Sequence, residues 1–287
     1  MNLIHILLAQ ARHGLQPALL ALLVLLAAGP AARAQNTGTD PVVVPLTSPG
    51  KPGTLRLKLV GGSINVVGHK GKDVVIDASA RELKSRRERA RETSDGLRRI
   101  DQAEGLEMTV EEKDNLVVIK TDSYRRPIDL TIKVPQNFSL KLGTVNSGDI
   151  TVEDVNGELE ISNVNGSITL RQVGGSAVVN TVNGSVLATF EKVTADAPMA
   201  FSTVNGKIDV SFPNKVKANL KLKSDQGAIY SDFDMEVAPA PRPVASTKGG
   251  GMYRVTQDSW TYGKLNGGGA EIMMKSLQGS IYVRKAK

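Results

Sequence analysis

The chain has 287 residues, a net charge of +7, no cysteine and only 4% aromatic residues. The missing cysteines exclude a disulfide framework, a thiolate nucleophile, a cysteine metal site and a lipid-bearing cysteine, so stability must come from burial and backbone pairing. A chain of this length can build one or two such domains.

At the N-terminus, "MNLIHILLAQARHGLQPALLALLVLLAAGPAARAQ" carries an unbroken apolar run of eleven residues, Ala18 to Ala28. A membrane-spanning helix needs about 20. Gly29, Pro30 and the small-x-small sequence ending at Ala34 follow, so residues 1–34 read as a secretory signal peptide cleaved after Ala34. That leaves 34 basic and 29 acidic residues, no integral membrane span, and a protein expected in the periplasm or secreted. Residues 35–52 form a polar leader.

From residue 53 the chain alternates. "TLRLKLVGGSINVVGHKGKDVVIDASA" places Leu55, Leu57, Leu59, Ile64, Val66, Val74 and Ile76 on one side of successive strands, broken by glycines. The charged segment 81–105 interrupts this pattern. Between Arg81 and Ile100 it holds eight basic and four acidic residues, and its apolar stripe is too thin for a firmly docked helix. It reads as a helical or mobile excursion whose Arg81, Lys84, Arg86, Arg87, Arg89, Arg91, Arg98 and Arg99 could contact an anionic surface. Alternation then resumes about the turn-like Asp114 and Asn115.

A nine-residue period follows. "SGDITVEDV", "NGELEISNV", "NGSITLRQV", "GGSAVVNTV" and "NGSVLATFE" place glycines at 148, 157, 166, 175 and 184, and "NGKIDVSFP" restarts at Gly206. Apolar residues recur at spacings of two and then three, as in Leu159, Ile161, Val164 and Ile168, Leu170, Val173. A meander of straight strands would not repeat that phase break. A chain that bends at each corner turns all three apolar residues into one core and stacks coil on coil, as in a β-solenoid. Alternate units match best, "TVNS", "NVNG", "TVNG" and "TVNG" against "DVNG" and "QVGG", so a full coil is two units, about 18 to 22 residues. Residues 53–287 are thus one all-β solenoid domain, with a flexible Pro- and Gly-rich loop at 236–252. Its terminal Arg284, Lys285 and Lys287 would blunt an exposed edge.

"GGSINVVGHKGKDVVIDA", "IDLTIKVPQNFSLKLGTVNSGDI", the "TVNG" series and "KLNGGGAEIMMKSLQGSIYVRK", spanning residues 53 to 284, resemble the bacterial putative-adhesin family of β-strand-repeat proteins, a domain of unknown function. The resemblance implies a β-solenoid displayed in the bacterial envelope and transfers no catalytic residue. The length and charge of 81–105 depart from it.

Catalytic chemistry is thinly supported. His69, the one histidine left after cleavage, lies in a glycine-bounded turn, which disfavours a triad and excludes a histidine metal cluster. Asp149, Glu153, Asp154, Glu158 and Glu160 could serve a glycan-cleaving β-helical enzyme, but read better as solvent-facing strand residues. Trp260 either covers the core or stacks on sugar. Thr151, Glu160, Thr169, Val178 and Leu187 point outward and drift from polar to apolar along the stack. No phosphate loop, cofactor motif or nucleic-acid fold signature is present. The expectation is a non-enzymatic binding or scaffold module of the envelope, needing no cofactor, with an envelope component or anionic glycan or lipid surface as partner and no nucleic acid.

Overall fold

The computed structural model describes residues 41–81, 108–121, 127–239, 244–248, 252–256 and 259–286. Within them the chain is all-β, with 22 strands. The segments expected to be a signal peptide (1–34) and, beyond Arg81, an excursion lie outside the described residues.

Two ladders make up the main sheet. The first runs, in spatial order, through β5 (Met108–Lys113), β6 (Leu116–Thr121), β2 (Gly53–Gly61), β8 (Phe138–Asn146), β10 (Asn156–Asn163), the second half of β11 (Ile168–Asn183), β13 (Met199–Asn205), β21 (Ala270–Gln278), β15 (Ala218–Ser224), β20 (Thr261–Leu265) and β17 (Glu236–Val237). The second runs through β1 (Val42–Pro45), β4 (Asp73–Ala80), β7 (Ile128–Pro135), β3 (Ile64–His69), β9 (Ile150–Glu153), the first half of β11, β12 (Val186–Val193), β14 (Ile208–Phe212), β22 (Ile281–Lys285) and β16 (Ile229–Ser231). Because the 16-residue β11 passes through a corner, the two ladders form one 20-stranded sheet. Their inward side chains join a single apolar core.

In the repeat region each strand pairs parallel with the strand two units on. Leu140 sits beside Leu159, Leu159 beside Ala177 and Val179 beside Phe201, offsets of 19, 18 and 22 residues. Between corners burial alternates along these strands, as in Ile168, Leu170 and Val186, Ala188, Phe190. In later coils Phe190, Phe201 and Phe212 form a buried aromatic cluster with ring centroids 5.5 to 6.5 Å apart, an arrangement that adds to simple area burial.

The two corner types solve the phase problem differently. At the corners containing Val155 and Val173, Asp154 (φ 57°) and Gln172 (φ 52°) adopt the left-handed conformation, which rotates the following valine inward to full burial. At the "TVNG" corners the strand stays in phase. There the residue before the valine points inward and the valine points out, so Thr181 is 4% exposed and Val182 38%. The expectation that Val164 and Val182 enter the core is therefore corrected: Val164 is half-buried and Val182 exposed.

Each inward polar residue donates a hydrogen bond to the carbonyl of the corner glycine one coil away. Thr144 bonds Gly62 at 3.2 Å, Asn163 bonds Gly148 at 2.8 Å, Thr181 bonds Gly166 at 2.9 Å and Thr203 bonds Gly184 at 2.8 Å. Ser276 bonds Gly206 at 3.0 Å and Ser224 bonds Gly279 at 2.8 Å, continuing the row. The glycines themselves stack: a Cβ on Gly148, Gly166, Gly184, Gly206 or Gly279 would overlap the carbonyl of the glycine beneath it. Outside them, Asn205 donates to Asn183 (2.6 Å) and Asn183 to Asn165 (2.9 Å). Every letter of "TVNG" thus has its own physical task.

Chain order and stacking order differ at both ends. The coil β2–β3 lies between β6–β7 and β8–β9. The last coil, β21–β22, lies between β13–β14 and β15–β16. The expectation that Arg284 and Lys285 guard an exposed edge is thereby overturned, because β22 is paired on both sides. Of the strands at the ladder ends, β16 has three residues, β17 two and β1 four, while β5 carries Glu111, Glu112 and Lys113. Shortness and charge blunt these edges.

The loop expected at 236–252 also contains strand. Glu236 and Val237 pair antiparallel with β20, and β18 (Val244–Lys248) pairs with β19 (Met252–Thr256) in a separate hairpin flanking the glycines 249–251. Val-Ala-Ser-Thr and Tyr-Arg-Val-Thr are sequences suited to pairing, which outweighs their Pro- and Gly-rich surroundings.

Candidate functional site on the outer faces

Alternation fixes what each outer face displays. The five carboxylates between 149 and 160 do not share a surface. Glu153 faces outward from β9 in the second ladder and Glu158 and Glu160 from β10 in the first, so they point to opposite sides of the stack. Asp149 is occupied at a corner, where it accepts the Ser167 N–H at 2.7 Å. Lys141, bonded at 2.5 Å, holds the Glu160 carboxyl below its ordinary range. A glycosidase acid needs the reverse shift and a partner across a cleft. This arrangement gives the glycan-cleaving alternative no support.

His69 braces a turn. Its Nδ1 accepts the Gly71 N–H (3.2 Å) and its Nε2 donates to the Asp73 carbonyl (2.9 Å). Both ring nitrogens are spent on the backbone. Among the described residues no group of three or more metal-ligating side chains converges, and no helix is long and apolar enough to cross a membrane.

Of the basic residues anticipated at an anionic contact, Arg81 is described, and it is tied internally. Its guanidinium makes two bonds to Asp129 (2.5 and 3.0 Å), one to Ser63 Oγ (3.1 Å) and one to the Ser147 carbonyl (3.1 Å). Donating hydrogen bonds to Asp129 raises the Arg81 pKa further. Burial alone would raise the Asp129 carboxyl, but the Arg81 and Ser63 hydrogen bonds and the Arg81 charge outweigh it and lower it. Arg81 anchors the start of the excursion. Lys84, Arg86, Arg87, Arg89, Arg91, Arg98 and Arg99 lie outside the described residues.

The outward residues expected to form one drifting surface fall on two faces. Thr151, Thr169 and Leu187 make one row on the second ladder, while Glu160 and Val178 belong to the first. The ends of the stack also differ. All the phenylalanines are buried, whereas the tryptophan and tyrosines with described side chains, Trp260, Tyr262, Tyr230 and Tyr282, sit in the last two coils and the strand β20 region beside them.

On the second ladder's face Tyr230 and Tyr282 stack at 5.0 Å, with Tyr230 53% exposed. Arg284 and Lys207 lie 4.9 and 6.0 Å from the Tyr282 ring centroid. Both cations pair with Asp209, at 2.7 and 3.5 Å. On the first ladder's face the Lys221 and Lys223 ammonium groups lie 5.0 and 5.8 Å from the Trp260 ring centroid. Lys221 stands opposite Tyr262, and Asn219 opposite Lys264. A groove of about 440 Å³ opens beside them, lined by Asn219, Tyr262, Lys264 and Glu236 among others. The sequence reading saw Trp260 but not its lysines, because antiparallel pairing of β15 with β20 joins segments some forty residues apart.

Comparison with known proteins finds a likeness over part of the chain. No curated protein matches the chain. A crystal structure of a "putative cell adhesion protein" from Clostridium sporogenes is similar, with 12% sequence identity and a TM-score of 0.43 over 87% of this chain and 99% of that one. Residues 136–249, from β8 through β18, match the family model described as Toastrack DUF4097, a β-solenoid-like fold. The resemblance carried by the "TVNG" series therefore stands: this stretch of the chain is similar to that family, a domain of unknown function.

Proposed function

We propose that the protein is an exported, non-enzymatic binding or scaffold module of the bacterial envelope, built as a β-solenoid whose coil is two units of 18 to 22 residues. The observation that carries this reading is the divergence of functional groups: the acidic side chains radiate from opposite flat faces instead of meeting in a cleft. A repeating flat surface suits multivalent contact, because one partner can engage several coils at once. Export is supported by the signal-like residues 1–34, and an anionic partner by the basic excess of 81–105.

Co-sedimentation of residues 35–287 with isolated bacterial envelopes, at low and high salt, tests the reading. A second form lacking 82–105 keeps Arg81, because Arg81 belongs to the folded stack. Binding is expected, and it weakens both in high salt and on deletion, since exposed charges are screened beyond about 10 Å at 0.1 M salt. Absence of binding under every condition, or turnover of a polysaccharide abolished by replacing one acid, overturns it.

A further inference from the structure

The cations beside the two exposed aromatic sites are paired differently. On the second ladder Asp209 accepts both Lys207 and Arg284. Beside Trp260 on the first, Lys221, Lys264 and Lys275 pair with no acid among the described residues, and Lys223 has one, Asp225 at 3.4 Å. Register brings these residues together: Lys275 lies beside Lys223, Lys221 beside Tyr262, and Asn219 beside Lys264. Of these residues Asn219, Tyr262 and Lys264 line the groove of about 440 Å³.

The geometry points to this surface, Tyr262 and Lys264 at the groove with Lys221, Lys223 and Trp260 next to them in register, as a binding site for an acidic oligosaccharide. The inference rests on the envelope-binding reading and names its ligand class. A sugar ring has an apolar C–H face that packs on indole or phenol, and a ring-borne carboxylate or phosphate needs a cation beside that face. Lysine suits such a ligand because its ammonium is a point charge on a flexible stem and tolerates varied anion positions. Exposed Glu236 and Glu271, in the same cross-strand row as Asn219 and Lys264, can accept sugar hydroxyls and oppose a uniformly dense polyanion. Ligand charge must therefore alternate with hydroxyl. Among the described residues the cations over the Tyr230–Tyr282 stack are both paired with Asp209, so it does not meet this requirement.

Trp260 is the one tryptophan of the chain, so tryptophan fluorescence of the full chain reports on this site alone. The probes are an oligogalacturonate, its methyl ester, and an oligosaccharide bearing phosphate in place of carboxylate. A saturable change with an acidic probe is expected, absent with the ester, and about tenfold weaker in the double variant K221Q/K264Q, whose fold is checked by circular dichroism. Response to the phosphate probe alone supports the site and identifies its anion as phosphate. No response to either acid, or equal response to the ester and in the double variant, overturns it. If the double variant still co-sediments with envelopes while wild type ignores both probes, the site falls and the envelope reading survives. If wild type fails to co-sediment, the envelope reading itself falls.

Discussion

The corner at Thr181–Gly184 and the corner at Gln172–Gly175 serve the same coil but hold it by different means. The first keeps the strand in phase, turns a hydroxyl inward and leaves a valine in solvent. The second breaks phase through a left-handed Gln172 and buries its valine completely. One corner is secured by a directional bond and backbone contact, the other by apolar packing, so identical letters at the two corners carry different energetic weight.

Substitution can separate these contributions. The largest effect is expected for Gly184→Val, since the new side chain would occupy the position of the Gly166 carbonyl and several coils would have to part. A loss above about 4 kcal/mol, or failure to fold, is the expected result in urea denaturation. Next, Val173→Ala should cost about 2 to 3 kcal/mol through the cavity it leaves, whereas Val182→Ala should fall within about 0.5 kcal/mol. Equal costs would mean that the corners are alike after all.

Smaller effects refine the polar row. Thr181→Val keeps the shape but removes the donor to Gly166, for an expected loss of about 1 to 2 kcal/mol. Asn163 fills the same position with a mismatch: its Nδ2 bonds Gly148, but its Oδ1 is buried without a partner. Asn163→Thr should stabilise the protein by about 1 kcal/mol by removing that orphaned oxygen. A destabilised variant would show that the longer amide contributes packing a threonine cannot supply.

The smallest expected effect is electrostatic. Arg81 and Ser63 hold Asp129 below its ordinary value of 3.8, so their stabilisation is complete above that value and is lost as pH falls through the lowered one. The side chains are 40% and 35% exposed, so water screens the pair. Acid unfolding should shift slightly toward neutral pH in Arg81→Gln; an unchanged profile would leave the pair without a stabilising role.

Much of the architecture was legible because the repeat exposes its own constraints. The glycine period, the inward pairs such as Ile168 and Leu170, and the hairpin at Asp114–Asn115, where both residues have positive φ, follow from local turn chemistry and alternation. The role of each valine was not, because "DVNG" and "TVNG" differ by one letter whose effect passes through φ of the preceding residue. Stacking order was hidden as well. Segments 53–69 and 270–285 carry the same grammar as the rest, and a shared grammar cannot say which neighbour each one takes. The aromatic–lysine surface was half visible: Trp260 stood out, while Lys221 and Lys223 looked like ordinary outward strand residues until long-range register placed them beside it.

The position of the last coil bears on how the chain is made. β13 and β15 have no hydrogen bonds to each other; each bonds to β21. During synthesis everything up to residue 269 emerges with this slot unfilled, leaving Met199, Phe201, Leu220 and Leu222 without the neighbours Ile272 and Met274 that lie between them. Strands β21 and β22 act as a keystone. This part of the stack can close only after residues 270–285 have been made.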